Sequence, residues 1–280
     1  MKERLLRASL SGLDFRVIFV ELQPLLSEFL ERVQPPLSCR EHYLKALTAG
    51  LLTSPLLHKD ERYTLRWHYG QSLEILVDVD HQGGLRSTLN PVSEEEEMQI
   101  ETLPGKLGVV RSSPTRRLND GMVLADLCDP AQDLATFFNL SDQIPTFCRV
   151  VTSPHDSWGL LFQGLPGCDP ETIATLEDHW KSSEISKPNL TSPKEISSFL
   201  SSLLDLVISE DELSIHSTLP PHSFCTCGKE KMRKTLGSFP VEELENMIRQ
   251  DGGAQIDCHF CASSYRFEAQ DIRELIGAKG

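Results

Sequence analysis

The sequence predicts an α+β fold in three parts: an N-terminal antiparallel-sheet domain with packed helices, a helical linker and a small C-terminal module. Three observations carry that reading. Segments of strand-like apolar residues cluster between Asp14 and Phe162 instead of alternating strictly with helical periods. A serine-rich stretch from Ser192 to Ile208 holds one strong helical period. Four cysteines gather near the end, as Cys225-Thr-Cys227 and Cys258-His-Phe-Cys261. The expected boundaries are 1–170, 171–222 and 223–280.

With 280 residues, 39% of them hydrophobic, the chain can bury a core and is long enough for more than one domain. Charged residues at 24% and aromatics at 7% give no sign of global disorder. The formal charge of −14 argues against a nucleic-acid binder, whose footprint is a concentrated basic patch, and would repel anionic lipid. No apolar run approaches the roughly 18 residues of a membrane span. Lys2, Arg4 and Arg7 resemble the start of a secretory signal, but Asp14 and Arg16 interrupt the apolar run that should follow. Eight cysteines, four of them in one array, fit a reducing cytosol better than a disulfide framework. The expectation is a soluble cytoplasmic protein with no nucleic-acid or membrane partner.

Taken in order, Asp14–Val20 is rich in β-branched and aromatic residues and reads as a strand. Leu22, Leu25, Leu26, Phe29, Leu30 and Val33 keep a helical period that Pro35-Pro36 stops. A second helix is expected over Arg40–Leu52, with Tyr43, Leu44, Leu47 and Leu51 as its buried stripe. Tyr63–Tyr69, Leu73–Val79 and Leu85–Leu89 read as three strands with short links at Gly70-Gln71 and His81–Gly84, which implies an antiparallel meander. Glu94–Glu97 reads as a solvated acidic run. A short strand at Gly108 follows, then a helix over Ala131–Phe138 opened by Asp129-Pro130. Phe147–Val151 and Trp158–Phe162 complete the sheets.

This region holds no nucleophile elbow, phosphate loop, dinucleotide fingerprint or His-Glu-x-x-His. His42, His58, His68 and His81 are scattered, without ligand spacing. Cys39, Cys128, Cys148 and Cys168 are isolated and read as small buried hydrophobes.

In the linker, Asp169-Pro-Glu starts a helix ending near Trp180, and the Ser-, Lys- and Pro-rich stretch Lys181–Pro193 breaks the pattern. Ser192-Pro-Lys-Glu195 is a capping box. Beyond it Ile196, Phe199, Leu200, Leu203, Leu204, Val207 and Ile208 fall on one helical face, opposite Ser197, Ser198, Ser201, Ser202 and Asp205. That face either packs on the N-terminal domain or becomes exposed under some condition to bind other proteins. Serine is a mediocre helix former, so the helix depends on its packed face. Asp211-Glu-Leu-Ser and Pro220-Pro221 then lead extended chain into the module.

In the module, helices are expected over Lys229–Leu236, from Pro240 to Asp251, and over Ala269–Ile276. Ala254–Asp257 and Ser264–Phe267 should form a hairpin around Cys258-His-Phe-Cys261. Two cysteine pairs separated by a supersecondary unit can supply four thiolates to one tetrahedral ion. The region therefore reads as a four-cysteine zinc module, with Cys225, Cys227, Cys258 and Cys261 as ligands of one Zn2+. A unit of 58 residues with few apolar side chains often needs such a staple. Thiolates are also what oxidants attack; oxidation would pair neighbours first, Cys225 with Cys227 and Cys258 with Cys261. Spacing alone favours a structural site and leaves an oxidation switch as the alternative.

Cys225-x-Cys227, Glu243-Leu-Glu-Asn-Met-Ile248, Asp251-Gly-Gly-Ala254 and Cys258-His-Phe-Cys261 followed by Tyr265-x-Phe267 together resemble the heat-shock protein 33 family, the 33 kDa chaperonin. Ser141-Asp-Gln-Ile-Pro-Thr146 and Gly159-Leu-Leu-Phe-Gln-Gly-Leu-Pro166 extend the resemblance upstream, with Arg7, Arg16, Leu51-Leu52 and Gly84-Leu-Arg86 in family-like order. The chain departs from the family's pattern at Gly70-Gln-Ser72 and Arg86-Ser-Thr88, which leaves the four ligands intact. The resemblance implies an ATP-independent, redox-regulated holdase rather than an enzyme: inactive when reduced and zinc-bound, and on oxidation releasing zinc, unfolding module and linker, forming a homodimer and exposing apolar surface to unfolded clients. The Ile196–Ile208 face is then the candidate client-binding part of the linker. Two other classes compete: a thiol–disulfide oxidoreductase using Cys258-x-x-Cys261, which lacks a thioredoxin-like βαβ context, and a zinc-ribbon nucleic-acid binder, which the charge disfavours.

Overall fold

The computed structural model describes residues 4–70, 73–90, 104–154, 156–182, 186–188 and 192–278. Lys2, Gln71, the acidic run Glu94–Glu97 and parts of the Lys181–Pro193 stretch (183–185 and 189–191) lie outside the described residues. The chain divides into two units, Met1–Ser223 and Phe224–Gly280.

Two sheets frame the first unit. One contains β1 (Arg4–Leu10), β2 (Phe15–Leu22), β8 (Thr146–Ser153), β9 (Asp156–Gly164) and β10 (Leu213–Leu219), in the order β10-β1-β2-β9-β8 with antiparallel neighbours. The other runs β11-β5-β4-β3-β6-β7, from β3 (Arg62–Tyr69), β4 (Leu73–Asp80), β5 (Gly84–Asn90), β6 (Gly105–Ser112), β7 (Arg117–Ala125) and β11 (His222–Ser223). The expected meander is present as β3-β4-β5, and β11 adds to β5 in parallel.

Helix α2 (Leu37–Leu52) touches strands of both sheets and buries Cys39, Tyr43, Leu44 and every residue from Ala46 to Leu52. A helix apolar on all sides is a core helix. Tyr43 Oη lies 2.7 Å from Ser87 Oγ on β5, and Thr48 Oγ1 lies 2.6 Å from Ser157 Oγ on β9, so its polar groups tie it to each sheet. A Cβ at Gly50 would stand 2.6 Å from Val77 Cγ1, so the close approach of α2 to β4 requires glycine there. Helices α1 (Pro24–Val33) and α3 (Pro130–Leu140) extend the same core through Leu25, Leu26, Phe29, Leu134, Phe137 and Phe138. Asp129 caps α3 as expected, accepting from the N–H groups of Ala131 and Gln132.

The far face of the first sheet carries a second core. Phe15, Val17, Phe19, Trp158, Leu160 and Phe162 pack there against Leu176 and Trp180 of α4 (Pro170–Ser182) and against α5 (Pro193–Leu204). The stretch expected to be a linker thus contributes a helical layer and a strand to the first unit.

Sequence periodicity carries α5 four residues too far. The helix stops at Leu204, because Asp205 turns left-handed (φ 51°) and the N–H groups of Asp205 and Leu206 both return to Ser201 O. Ile208 N–H then donates to Ser201 Oγ at 3.0 Å and folds the chain back, which leaves Val207 97% exposed. Local sequence signals do not predict strands β1, β7 and β10. β1 reads as a basic leader although it pairs with the neighbouring β2, and β10 reads as extended chain because its partner β1 lies about two hundred residues away (Leu5 opposite Leu219).

The second unit comprises α6 (Lys229–Leu236), α7 (Val241–Asp251), β12 (Gly253–Asp257), β13 (Ser264–Glu268) and α8 (Ala269–Gly277), close to expectation. Its core centres on Leu236, Leu244, Phe267 and Ile272. Among the described residues, no helix is long and apolar enough to cross a membrane.

Candidate metal centre

Each cysteine pair sits where local structure stops. Cys225 and Cys227 lie in the irregular segment before α6, where Gly228 opens the helix. Gly252, left-handed at φ 67°, ends α7 and starts β12, whose antiparallel pairing with β13 brings Cys258 and Cys261 into the connecting turn. That turn is held by Cys258 N–H to Ser263 O (2.9 Å) and Ala262 N–H to Cys258 O (2.8 Å), with Ala262 itself left-handed.

The four sulfurs all lie within 4.8 Å of one another. Cys225 Sγ is 3.6 Å from Cys258 Sγ, and Cys227 Sγ is 3.2 Å from Cys261 Sγ. A tetrahedral ion with Zn–S bonds of about 2.3 Å needs sulfurs about 3.8 Å apart, so the donor set fits zinc in number, chemistry and spacing. None of the eight cysteines is in a disulfide.

The electrostatics point the same way. At Cys227 the hydrogen bond from Tyr265 pulls the pKa down, but burial and the neighbouring thiols outweigh it and push it up to about 12. At Cys261 burial acts upward, yet hydrogen bonds from Ser263 and the other cysteines prevail and lower the thiol to about 6. At Cys225 burial is the largest influence and the net shift is upward. Metal-free, the shifts favour a thiolate at Cys261 and protonated thiols at Cys225 and Cys227. A divalent cation is what would allow four thiolates at once.

The remaining cysteines are elsewhere. Cys39 and Cys148 are buried, burial pushing the Cys148 thiol up, and Cys128 and Cys168 are half-buried. Of the linker face, Ile196, Leu200, Leu203, Leu204 and Ile208 are buried on the second core, Phe199 is half-buried against it, and Val207 is exposed. Cys258-x-x-Cys261 occupies a hairpin turn rather than the start of a helix after a parallel strand. Two hydroxyls beside the quartet, Tyr265 and Ser263, carry no spacing signal of their own; a tyrosine on the strand just after the last cysteine is the one clue the chain offers.

The family model described as Hsp33 protein matches residues 3–268 of this chain. A 33 kDa chaperonin of Levilactobacillus brevis is 26% identical over 99% of this chain and 98% of its own length. A 33 kDa chaperonin of Thermus thermophilus is 28% identical over 98% of this chain and 86% of its own. The crystal structure of a 33 kDa chaperonin (heat shock protein 33 homolog) from Thermotoga maritima shares the fold, with a TM-score of 0.82 at 20% identity, covering 100% of this chain and 99% of that one.

Proposed function

The chain belongs to the Hsp33 family, and on that premise we propose that it is a redox-regulated, ATP-independent holdase kept inactive by its reduced cysteine quartet. Family membership supports a chaperone. The observation that carries the finer reading is the gathering of Cys225, Cys227, Cys258 and Cys261 within 4.8 Å, in a unit whose core is four buried side chains and their half-buried neighbours.

Held by those four sulfurs, zinc would cross-link the loop before α6 to the β12–β13 turn and contribute on the order of 10–16 kcal/mol to folding. The cysteines decide whether that contribution persists. Joining Cys225 to Cys227 and Cys258 to Cys261 as disulfides removes the four thiolate donors, and Leu236, Leu244, Phe267 and Ile272 are too few to hold the unit folded. Residues 171–222 then have the role of a cover. Lifting α5 would free Ile196, Leu200, Leu203 and Leu204 together with the sheet face of Phe15, Val17, Phe19, Trp158, Leu160 and Phe162. Surfaces of that kind bind unfolded clients through apolar contact. Homodimer formation on oxidation and a cytoplasmic location belong to the same proposal.

The test is to treat zinc-loaded, reduced protein with peroxide at mild heat, following zinc release, thiol count and suppression of client aggregation. The proposal expects loss of four thiols, release of one zinc and gain of protection together. Retained zinc with no protection would refute it.

A further inference from the structure

The four sulfurs of the quartet do not share one environment. Tyr265 Oη lies 3.0 Å from Cys227 Sγ, and Ser263 Oγ lies 3.3 Å from Cys261 Sγ. Among the described residues, Cys225 and Cys258 contact each other and have no such hydroxyl. Tyr265 is also rigidly placed. It sits on β13 opposite Ile256 of β12, and its ring packs against the core of Leu236, Leu244, Phe267 and Ile272. Its hydroxyl therefore reaches from the strand that follows the second cysteine pair to a sulfur of the first. Toward a thiolate, which only accepts, that hydroxyl is the donor.

We infer that Tyr265 is a positioning residue for the metal centre: its hydroxyl holds the Cys227 thiolate in the quartet and lowers its nucleophilicity, and so sets how much oxidant is needed to open the site. The inference rests on the zinc and redox reading proposed above. The physical argument concerns one lone pair. In oxidation by a peroxide, a thiolate sulfur attacks one oxygen; the S–O bond forms as the O–O bond breaks, hydroxide leaves, and sulfur gives up two electrons to the peroxide. A neighbouring thiolate then attacks the sulfenic sulfur, forming the disulfide and expelling a second hydroxide. A hydroxyl bonded to sulfur ties up density that the first step must spend, and outer hydrogen bonds of this kind also orient metal ligands. The Cys261 thiol donates to Ser263 Oγ at 3.3 Å; with Cys261 as a thiolate the Ser263 hydroxyl becomes the donor and acts in the same way from the surface. Cys258 is buried, and Cys225, with no hydroxyl beside it, receives the backbone N–H of Cys227 instead.

The full chain, as wild type and as Tyr265→Phe, Ser263→Ala and Ile256→Val, tests this. Phe keeps the ring and removes only the hydroxyl; Ile256→Val trims the ring's neighbour and keeps the hydroxyl. Three readouts apply: zinc affinity by chelator competition, the thiolate-to-metal charge-transfer band of the cobalt-loaded protein, and the rate of zinc release under peroxide with sulfenic-acid trapping. Tyr265→Phe should weaken zinc on the order of tenfold, move the band to longer wavelength, speed release and add trapped label at Cys227. Ser263→Ala should shift all three in the same direction but less, and Ile256→Val should leave the band in place. A Tyr265→Phe protein indistinguishable from wild type overturns the inference and leaves the chaperone proposal standing. So does an Ile256→Val protein that reproduces the Tyr265→Phe band shift. If Tyr265→Phe fails to load metal, Ser263→Ala decides, and an unchanged band and release rate there overturn the inference. Wild-type protein that binds no zinc removes both readings.

Discussion

The two units of this chain bury apolar side chains on very different scales. In the first, α2 is enclosed by two sheets, and a second core forms where α4 and α5 cover β2 and β9. In the second, a single small cluster stands on Leu236, Leu244, Phe267 and Ile272. Hydrophobic stabilisation scales with the area removed from water, so the first unit can stand on its packing, while on the proposed reading the second depends on what its cysteines hold. On the proposed reading, sensitivity to oxidants lies in the part of the chain with least else to keep it folded.

The comparison can be sharpened from the first unit outward. Leu47 is fully buried on α2, and Leu47→Ala should cost about 2–5 kcal/mol in the denaturant midpoint of the first unit. Zinc affinity should not change. A parallel loss of zinc would mean that the two units are not energetically separate.

A smaller effect follows from Asp133, which is 1% exposed and accepts a hydrogen bond from Tyr69. Burial raises its pKa to about 7, the hydrogen bond from Tyr69 opposes the rise, and the nearby charges of Asp129 and Asp126 add to it. The folded state therefore keeps a proton that the unfolded chain releases near pH 4. The corresponding stability is present below about pH 4 and is lost as pH climbs to about 7, a change of at most about 4 kcal/mol. Asp133→Asn should flatten that slope in unfolding curves taken between pH 4 and 8. A slope that survives the substitution would assign it to other groups.

The smallest effect concerns the cover. Ser192 accepts from Glu195 N–H, while Glu195 closes the reciprocal half of the capping box. Ser192→Ala should cost about 1 kcal/mol, confined to α5 and visible as faster amide exchange over Ile196–Leu204. Unchanged exchange would show that the second core alone fixes this helix.

Most helices, the β3–β5 meander and the quartet were legible because their signals are local: periodicity, caps, turn residues and cysteine spacing. β10 was not, because Leu213–Leu219 becomes a strand by pairing with β1 across most of the chain, and β1, which pairs with both β2 and β10, was hidden by a basic start that reads as a leader. The end of α5 was misplaced for a different reason. Val207 and Ile208 continue the apolar period, but Asp205 accepts a left-handed backbone and Ser201 captures the returning N–H groups. Tyr265 and Ser263 could not be assigned to particular sulfurs by spacing, since their reach depends on the register of the β12–β13 hairpin.

The most direct test of the central claim is hydrogen exchange on the full reduced chain, zinc-loaded and then stripped by chelator without oxidant. The account predicts that amides of α6, α7 and the β12–β13 hairpin lose protection on stripping, while those of α2 and β3–β4 keep theirs. Protection retained across the cysteine module after complete zinc removal would contradict it.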